Sequence, residues 1–149
     1  MKTIQHFTAT TFIVYKKKVL LHFHKKLSMW LPVGGHIEEN ELPEDAALRE
    51  IKEETGLVAT LYNPDKQMGL SDVRQLLRPI HILLVNIENF HRHIDFIYYA
   101  SVNSNELNPQ DGETANIKWF SADEIKDLDA RENVKALSLE AIRILNTAN

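Results

Sequence analysis

The chain contains no cysteine, which excludes both a disulfide framework and a zinc–thiolate centre. No stretch approaches the roughly 18 apolar residues that a membrane-spanning helix needs. The opening residues, MKTIQHFTATTF, lack an apolar run ending in a small-residue cleavage site, so no signal peptide is expected and the expected location is cytoplasmic. No internal repeat, low-complexity tract or Pro/Gly/Ser-rich linker divides the chain. Its basic residues form no stripe interleaved with aromatics, which argues against direct nucleic-acid binding. The seven histidines show no His/Glu cluster at zinc-ligand spacing, so zinc is not expected.

What remains is 149 residues with 44% hydrophobic and 26% charged side chains, enough for one soluble domain with a sizeable core. The net charge of −4 is unevenly spread. Between Gly35 and Leu57, Glu38, Glu39, Glu41, Glu44, Asp45, Glu50, Glu53 and Glu54 face only Arg49 and Lys52, a net −6. The other residues carry 13 acids against 15 bases. Such a run is either a solvated helix face or a site for divalent cations, whose preferred ligands are carboxylate oxygens.

Thr8–Tyr15 is rich in β-branched and aromatic residues and reads as a strand, returning through the Lys16–Lys18 turn as Val19–His24. Trp30–Val33 is a short extended piece running into Gly34-Gly35. Leu42–Thr55 is a helix, with Pro43 suited to its first position, Glu44 and Asp45 at the positive end of its dipole and Gly56 as its stop. Ile80–Ile87 and Ile94–Val102 are strands joined by the polar Glu88–His93 connection. Asn103–Gly112 reads as a loop and Ala115–Phe120 as a short strand. Ser121 caps a short helix over Ala122–Leu128. Asn133–Asn146 carries an apolar helical stripe of Val134, Leu137, Ala141, Ile144 and Leu145. Mixed hairpins and helical crossovers predict an α/β (α+β) fold, a mixed sheet with helices packed on it.

On a wheel of about 100° per residue with Glu50 at zero, Glu53 and Glu54 fall within the same sector about 100° wide. Ala47, Leu48, Ile51 and Thr55 occupy the adjoining sector, the predicted core face. Ala46 lies over the acidic sector, where its small side chain leaves room. Like charges at these spacings repel by a few tenths of a kcal/mol per pair, and a bound Mg²⁺ would relieve that. Spacing alone leaves the solvated face and the metal site as alternatives.

The preceding glycines permit close backbone approach to a ligand. The stretch GHIEENELPEDAALREIKEETGL, Gly35 to Leu57, matches G-x5-E-x7-R-E-U-x-E-E-x-G-U, where U is bulky and aliphatic. Gly35, Glu41, Arg49, Glu50, Ile51, Glu53, Glu54, Gly56 and Leu57 fill every specified position. This stretch resembles the signature of the Nudix hydrolases. The resemblance implies a single domain over residues 1–149 with a mixed β-sheet sandwiched between α-helices, the signature forming a loop–helix–loop. It implies Mg²⁺, with Mn²⁺ as a substitute, bound by Glu50, Glu53, Glu54 and the Gly34 carbonyl, and structural roles for Gly35, Glu41 and Arg49. The implied reaction is attack of water on a phosphorus of a nucleoside diphosphate linked to another group. Its catalytic base is one of Glu50, Glu53 or Glu113, with Glu106, Asp111 and Asp95 as rivals.

His22 and His24 alternate on one strand face and are expected to line the substrate pocket, while His36 is placed to reach a phosphate. Trp30 is expected to be structural, Tyr98 and Tyr99 must point to opposite faces, and Lys25 and Lys26, which could attract phosphates, read as solvated at a hairpin end. The proline found past the box in many ADP-ribose hydrolases is replaced by Ser71-Asp72-Val73-Arg74. The corresponding tyrosine of dinucleoside polyphosphate hydrolases, the NADH hydrolase motif and the coenzyme A hydrolase pattern are also absent. Nucleoside triphosphate is left as the leading class. The implied partner is this small-molecule diphosphate substrate, with no membrane or nucleic acid, and a homodimer is left open. The alternative from another class is a catalytically inactive Nudix-fold ligand-binding or regulatory module. An intact signature disfavours it.

Overall fold

The computed structural model describes residues 2–110 and 116–147. In chain order the elements are β1 (Ile4–Tyr15), β2 (Lys18–His24), β3 (Met29–Leu31), β4 (Val33–His36), α1 (Pro43–Thr55), β5 (Ala59–Leu61), β6 (His81–Glu88), β7 (His91–Val102), β8 (Ile117–Ser121), α2 (Ala122–Asp127) and α3 (Glu132–Thr147). Long β1 organises the described strands. Its far end forms a tight hairpin with β2, through Lys16 and Lys17 at φ 46° and 66°, the positive values that two-residue hairpin turns require. Its middle pairs with β4, Thr8 to Thr11 facing His36 to Val33. Along its other edge it runs parallel to β7 from Ile4↔His91 to Val14↔Ser101. The pairings of β2 with β3 and β8, and of β7 with β5 and β6, are antiparallel.

Side-chain alternation along the strands sends core residues to both faces of this mixed sheet. Phe12, Val14, Val19, Leu21, Ile97 and Tyr99 pack with Ile125 of α2 and with Val134, Leu137, Ala141, Ile142 and Leu145 of α3. Ala9, Ile13, Leu20, Tyr98 and Ala100 pack on the other side with Ala46, Ala47 and Ile51 of α1. Tyr98 and Tyr99 thus anchor opposite layers, as alternation requires. Ser121 accepts from the Glu124 amide at 3.2 Å while Glu124 accepts from the Ser121 amide at 2.9 Å, a capping box that starts α2. Trp30 is half-buried, edge-on to Phe120 and Phe23 at 5.0 and 5.4 Å, in the structural role expected of it.

Several expectations need correction. The polar Glu88–His93 connection shrinks to a turn at Asn89 and Phe90, with Phe90 at φ 61°. His91, Arg92 and His93 join β7 because backbone partners on β1 and β6 are available on both sides. Strand β1 likewise begins at Ile4. The extended piece before the glycines divides at Pro32 into β3 and β4, and three-residue β5 was not anticipated. Leu48 is 37% exposed while Ala46 and Thr55 are fully buried and Glu54 is only 6% exposed. On the wheel, the buried sector of α1 is therefore centred close to Glu54 rather than Ile51, and part of the acidic stripe lies against the sheet. Among the described residues, no helix is long and apolar enough to cross a membrane.

Candidate active site

Helix α1 presents its acidic side to β4, and glycine makes the approach possible. A Cβ on Gly35 would lie 2.6 Å from Glu50 Cδ, and one on Gly34 would lie 2.7 Å from the Ala9 carbonyl oxygen. Gly35 leaves room for the Glu50 carboxylate against the strand, and Gly34 lets β4 lie close on β1. At the far end Gly56 caps α1 at φ 77°, and a Cβ there would meet the Asn108 backbone. This contact docks the loop after β7, where the Asn108 amide donates to the Thr55 carbonyl at 2.8 Å and the Gln110 amide to the Glu53 carbonyl at 3.0 Å.

Arg49 organises the carboxylates. Its Nε and Nη2 donate to the two oxygens of Glu41 at 2.8 and 3.0 Å, and Nη2 also donates to the His36 carbonyl at 3.1 Å. Glu41 in turn accepts from the Glu38 amide at 3.0 Å, so this planar fork ties the loop between β4 and α1 to the helix. Arg49 Nη1 reaches Glu50 at 2.9 Å and Glu53 at 3.3 Å. These hydrogen bonds hold the Arg49 pKa above its ordinary value and, chiefly through the Arg49 bond, hold Glu41 below the usual carboxylate range. The buried Glu54 accepts from the Gly34 amide at 3.3 Å and faces His22 Nε2 at 3.7 Å. Burial pushes His22 below its ordinary pKa, against the Pro32 carbonyl that accepts from Nε2 at 3.2 Å, and so favours a neutral ring.

Glu50 and Glu53 share the Arg49 guanidinium and Glu54 lies on the Gly34 amide; carboxylate and carbonyl oxygens of this kind suit Mg²⁺ or Mn²⁺ and not a thiophilic ion. Beside them opens a cleft of about 930 Å³ that reaches Gly34, Gly35 and Glu54. Its floor is the shared face of β1 and β7, with Thr8, Thr10 and Phe12 beside His93, Asp95 and Ile97, and it is also lined by Arg131 just before α3 and by Asn133 and Val134 of α3.

Of the residues singled out from the sequence, Glu50 and Glu53 sit on Arg49 and are not among the residues lining the cleft. His22, His24 and His36 line the cleft, as do Gly34, Gly35 and Glu54. Lys25 and Lys26 are exposed, as the solvated reading expects, and also line the cleft. Glu106 is exposed on the loop after β7 and does not line the cleft. Glu113 and Asp111 lie outside the described residues. Asp95, counted only as a rival, is the cleft carboxylate with the most distinctive setting. It accepts from Thr8 and Thr10 hydroxyls at 2.9 and 2.7 Å, and burial raises its pKa despite them. The sequence signal was the alternation of His91, His93 and Asp95, of which the first two fall in the expected Glu88–His93 connection.

Comparison with known proteins agrees with this geometry. The NUDIX domain model matches residues 5–140. The structure of a NUDIX-family hydrolase from Clostridium perfringens superposes with a TM-score of 0.88 at 47% identity, covering 94% of this chain and 97% of that one. A probable DHNTP pyrophosphohydrolase of Lactococcus lactis subsp. cremoris is 33% identical over 114 residues, 76% of this chain and 61% of its own length. The m7GpppN-mRNA hydrolase NUDT17 of Danio rerio is 30% identical over 105 residues, 66% of this chain and 34% of its own. The chain thus spans about three-fifths and one-third of these two curated relatives. A model matched over nearly the whole chain, together with an unbroken signature folded around Arg49, establishes that this protein belongs to the Nudix family.

Proposed function

We propose that the protein is a cytoplasmic pyrophosphohydrolase that cleaves a nucleoside diphosphate linked to another group, with nucleoside triphosphate as its leading substrate class. The observation that carries this reading is the carboxylate cluster, with Glu50 and Glu53 on one guanidinium and Glu54 on the Gly34 amide, at a cleft large enough for a nucleotide. The names of the relatives from Lactococcus lactis and Danio rerio, both hydrolases, support it.

Mg²⁺, or Mn²⁺ in its place, would be held by Glu50, Glu53, Glu54 and the Gly34 carbonyl, and would neutralise phosphate oxygens and make a bound water more acidic. The protein's own groups do the rest. Arg49 and Glu41 fix the carboxylates, which costs no reorganisation during reaction. Lys25, Lys26 and Arg131 at the cleft attract the polyphosphate, and His36 beside Gly35 is placed for a phosphate oxygen. His22 and His24 line the end of the cleft next to Glu54. A carboxylate then takes the proton of the attacking water, and Glu113 is the candidate we favour over Glu50 and Glu53. The described residues on either side of Glu113 in sequence are Gln110, whose amide donates to the Glu53 carbonyl, and Asn116, whose carbonyl accepts from the Phe23 amide at 2.7 Å.

The test is a panel of nucleoside triphosphates, nucleotide sugars and other diphosphates with Mg²⁺ or Mn²⁺, reading released phosphate and pyrophosphate. Hydrolysis of at least one member is expected, with loss in excess EDTA and recovery on adding metal. Hydrolysis that survives excess chelator overturns the metal-dependent reading.

A further inference from the structure

Three imidazoles that this reaction does not use converge where β1 and β7 begin. The parallel register sets His6 beside His93 and Ile4 beside His91. Residues two apart on a strand share a face, so His91 and His93 project on the same side of the sheet as His6. His6 Nδ1 stands 3.1 Å from His91 Nε2. One ring nitrogen from each of the three lies within 4.8 Å of the others. The His91 ring is nearly perpendicular to the other two, at 86° to His6 and 82° to His93, so it meets them edge to face and does not stack on either. His36 packs flat against His6, with centroids 4.7 Å apart at 28°, and supports that ring from β4.

Two features separate this group from an ordinary solvated strand end. His93 Nε2 is buried and has no hydrogen-bond partner among the described residues, and a buried polar atom left in that condition calls for an explanation. The spacing also matches a metal centre, since zinc–nitrogen bonds of about 2.0–2.1 Å in a tetrahedron place ligand nitrogens roughly 3.3 Å apart. His6 and His91 stand at 3.1 Å, close to that separation, and His93 offers a ring nitrogen within 4.8 Å of both.

We propose that His6, His91 and His93 form a second metal site, for a zinc-type divalent transition ion, separate from the carboxylate centre and at the rim of the substrate cleft. Imidazole nitrogens select zinc, cobalt and nickel where carboxylates and carbonyls select magnesium and manganese, so the two sites sort ions by donor chemistry. Coordination requires neutral rings, and burial, helped by the neighbouring histidines, lowers the pKa of His93. Three histidines leave a fourth tetrahedral position. Since His93 and His36 both line the cleft, that position suits a water or a phosphate oxygen of a bound substrate. Zinc was set aside from the sequence because no local ligand spacing suggested it. Here His6 and His91 are 85 residues apart, and strand pairing rather than chain proximity assembles the set.

Cobalt(II) tests this, on full-length protein without a polyhistidine tag and with excess Mg²⁺ to occupy the carboxylates. Wild-type protein is expected to take up one equivalent of Co²⁺ with visible absorption bands of a low-coordinate imidazole complex, displaced by Zn²⁺. His6→Ala and His91→Ala should each weaken this binding by at least the ~10–100-fold that loss of an outer-shell partner alone costs, while keeping the chelator-treated protein's melting temperature. The double variant Glu53→Gln/Glu54→Gln should leave it unchanged. Absence of the Co²⁺ equivalent in wild type overturns the proposal. So does absorption that survives both histidine variants or disappears in the glutamate variant.

Discussion

Replacing Gly35 with alanine isolates the placement of a single carboxylate. The position lies in β4 and is not among the residues with positive φ, so the backbone accepts a Cβ without strain. The new methyl would stand 2.6 Å from Glu50 Cδ, about 1 Å inside ordinary carbon–carbon contact. Glu50 must therefore swing away by a similar distance, although Arg49 Nη1 holds its carboxylate at 2.9 Å. A 1 Å misplacement costs on the order of 10²-fold in rate. Stability should hardly change, since weakening a partly exposed ion pair costs about 0.2–1 kcal/mol and alanine restores about 0.4–1 kcal/mol through unfolded-chain entropy. The assay pairs kcat/KM on the best substrate of the panel, under Mg²⁺ titration, with a thermal melt. A loss below about tenfold, or a collapse in melting temperature that accounts for the lost activity, refutes the reasoning. Gly56→Ala is the contrasting variant. With φ 77° and the Asn108 carbonyl carbon at 2.9 Å, neither backbone nor neighbour can yield easily, and destabilisation beyond about 1 kcal/mol is expected.

Glu53→Gln and Glu54→Gln should each depress kcat strongly without unfolding the protein, whereas Glu39→Gln, exposed in the loop before α1, should change little; equal losses in all three would defeat the spacing argument. Glu113→Gln should lower kcat by about 10²–10⁴-fold with only a modest change in Mg²⁺ affinity, and retention of rate and of the acidic limb of the pH profile would return the base to Glu50 or Glu53. Tyr99→Phe removes the hydroxyl that donates to Glu140 at 2.7 Å and should cost about 1.5–3 kcal/mol in urea melts near neutral pH, as hydrogen bonds to charged groups do. Bonds from Tyr99 and His81 outweigh burial and hold the Glu140 carboxyl below its usual value of 4.5. Its stabilisation is therefore present above that pH and lost as pH falls through the depressed folded value, so the Tyr99→Phe deficit should shrink in acid. A deficit independent of pH would mean that the hydroxyl acts through packing alone.

Much of the candidate carboxylate site was legible because it is local. Glu50, Glu53, Glu54, Arg49 and Glu41 lie within 14 residues, and helical geometry fixes their relation once the helix is recognised. Its burial was less legible, because a wheel orders residues around an axis without saying which neighbour arrives. Strand β4 and its glycines came to the acidic side, so Leu48 was left exposed and Ala46 enclosed. The cleft floor was nearly invisible. Thr8 and Thr10 meet Asp95 across 87 and 85 residues of chain, and the polar run that begins β7 has the composition of a loop. Three-residue β5 is too short to show any period.

The parallel seam between β1 and β7 also bears on how the protein is made. Eleven residue pairs, from Ile4↔His91 to Val14↔Ser101, join segments that leave the ribosome far apart in time. Such non-local pairing carries the loop-closure cost before any contact rewards it. Strand β1 can form its hairpin with β2 early, but its other edge stays open until β7 has been synthesised. Tyr98, Ala100 and Val102 of β7 complete the layer on which Ala46, Ala47 and Ile51 of α1 rest. The signature helix, although finished by residue 55, therefore gains its full seating only after residue 102. A nascent chain halted between these points would carry every residue of the signature and yet lack a fully packed seat for its carboxylates.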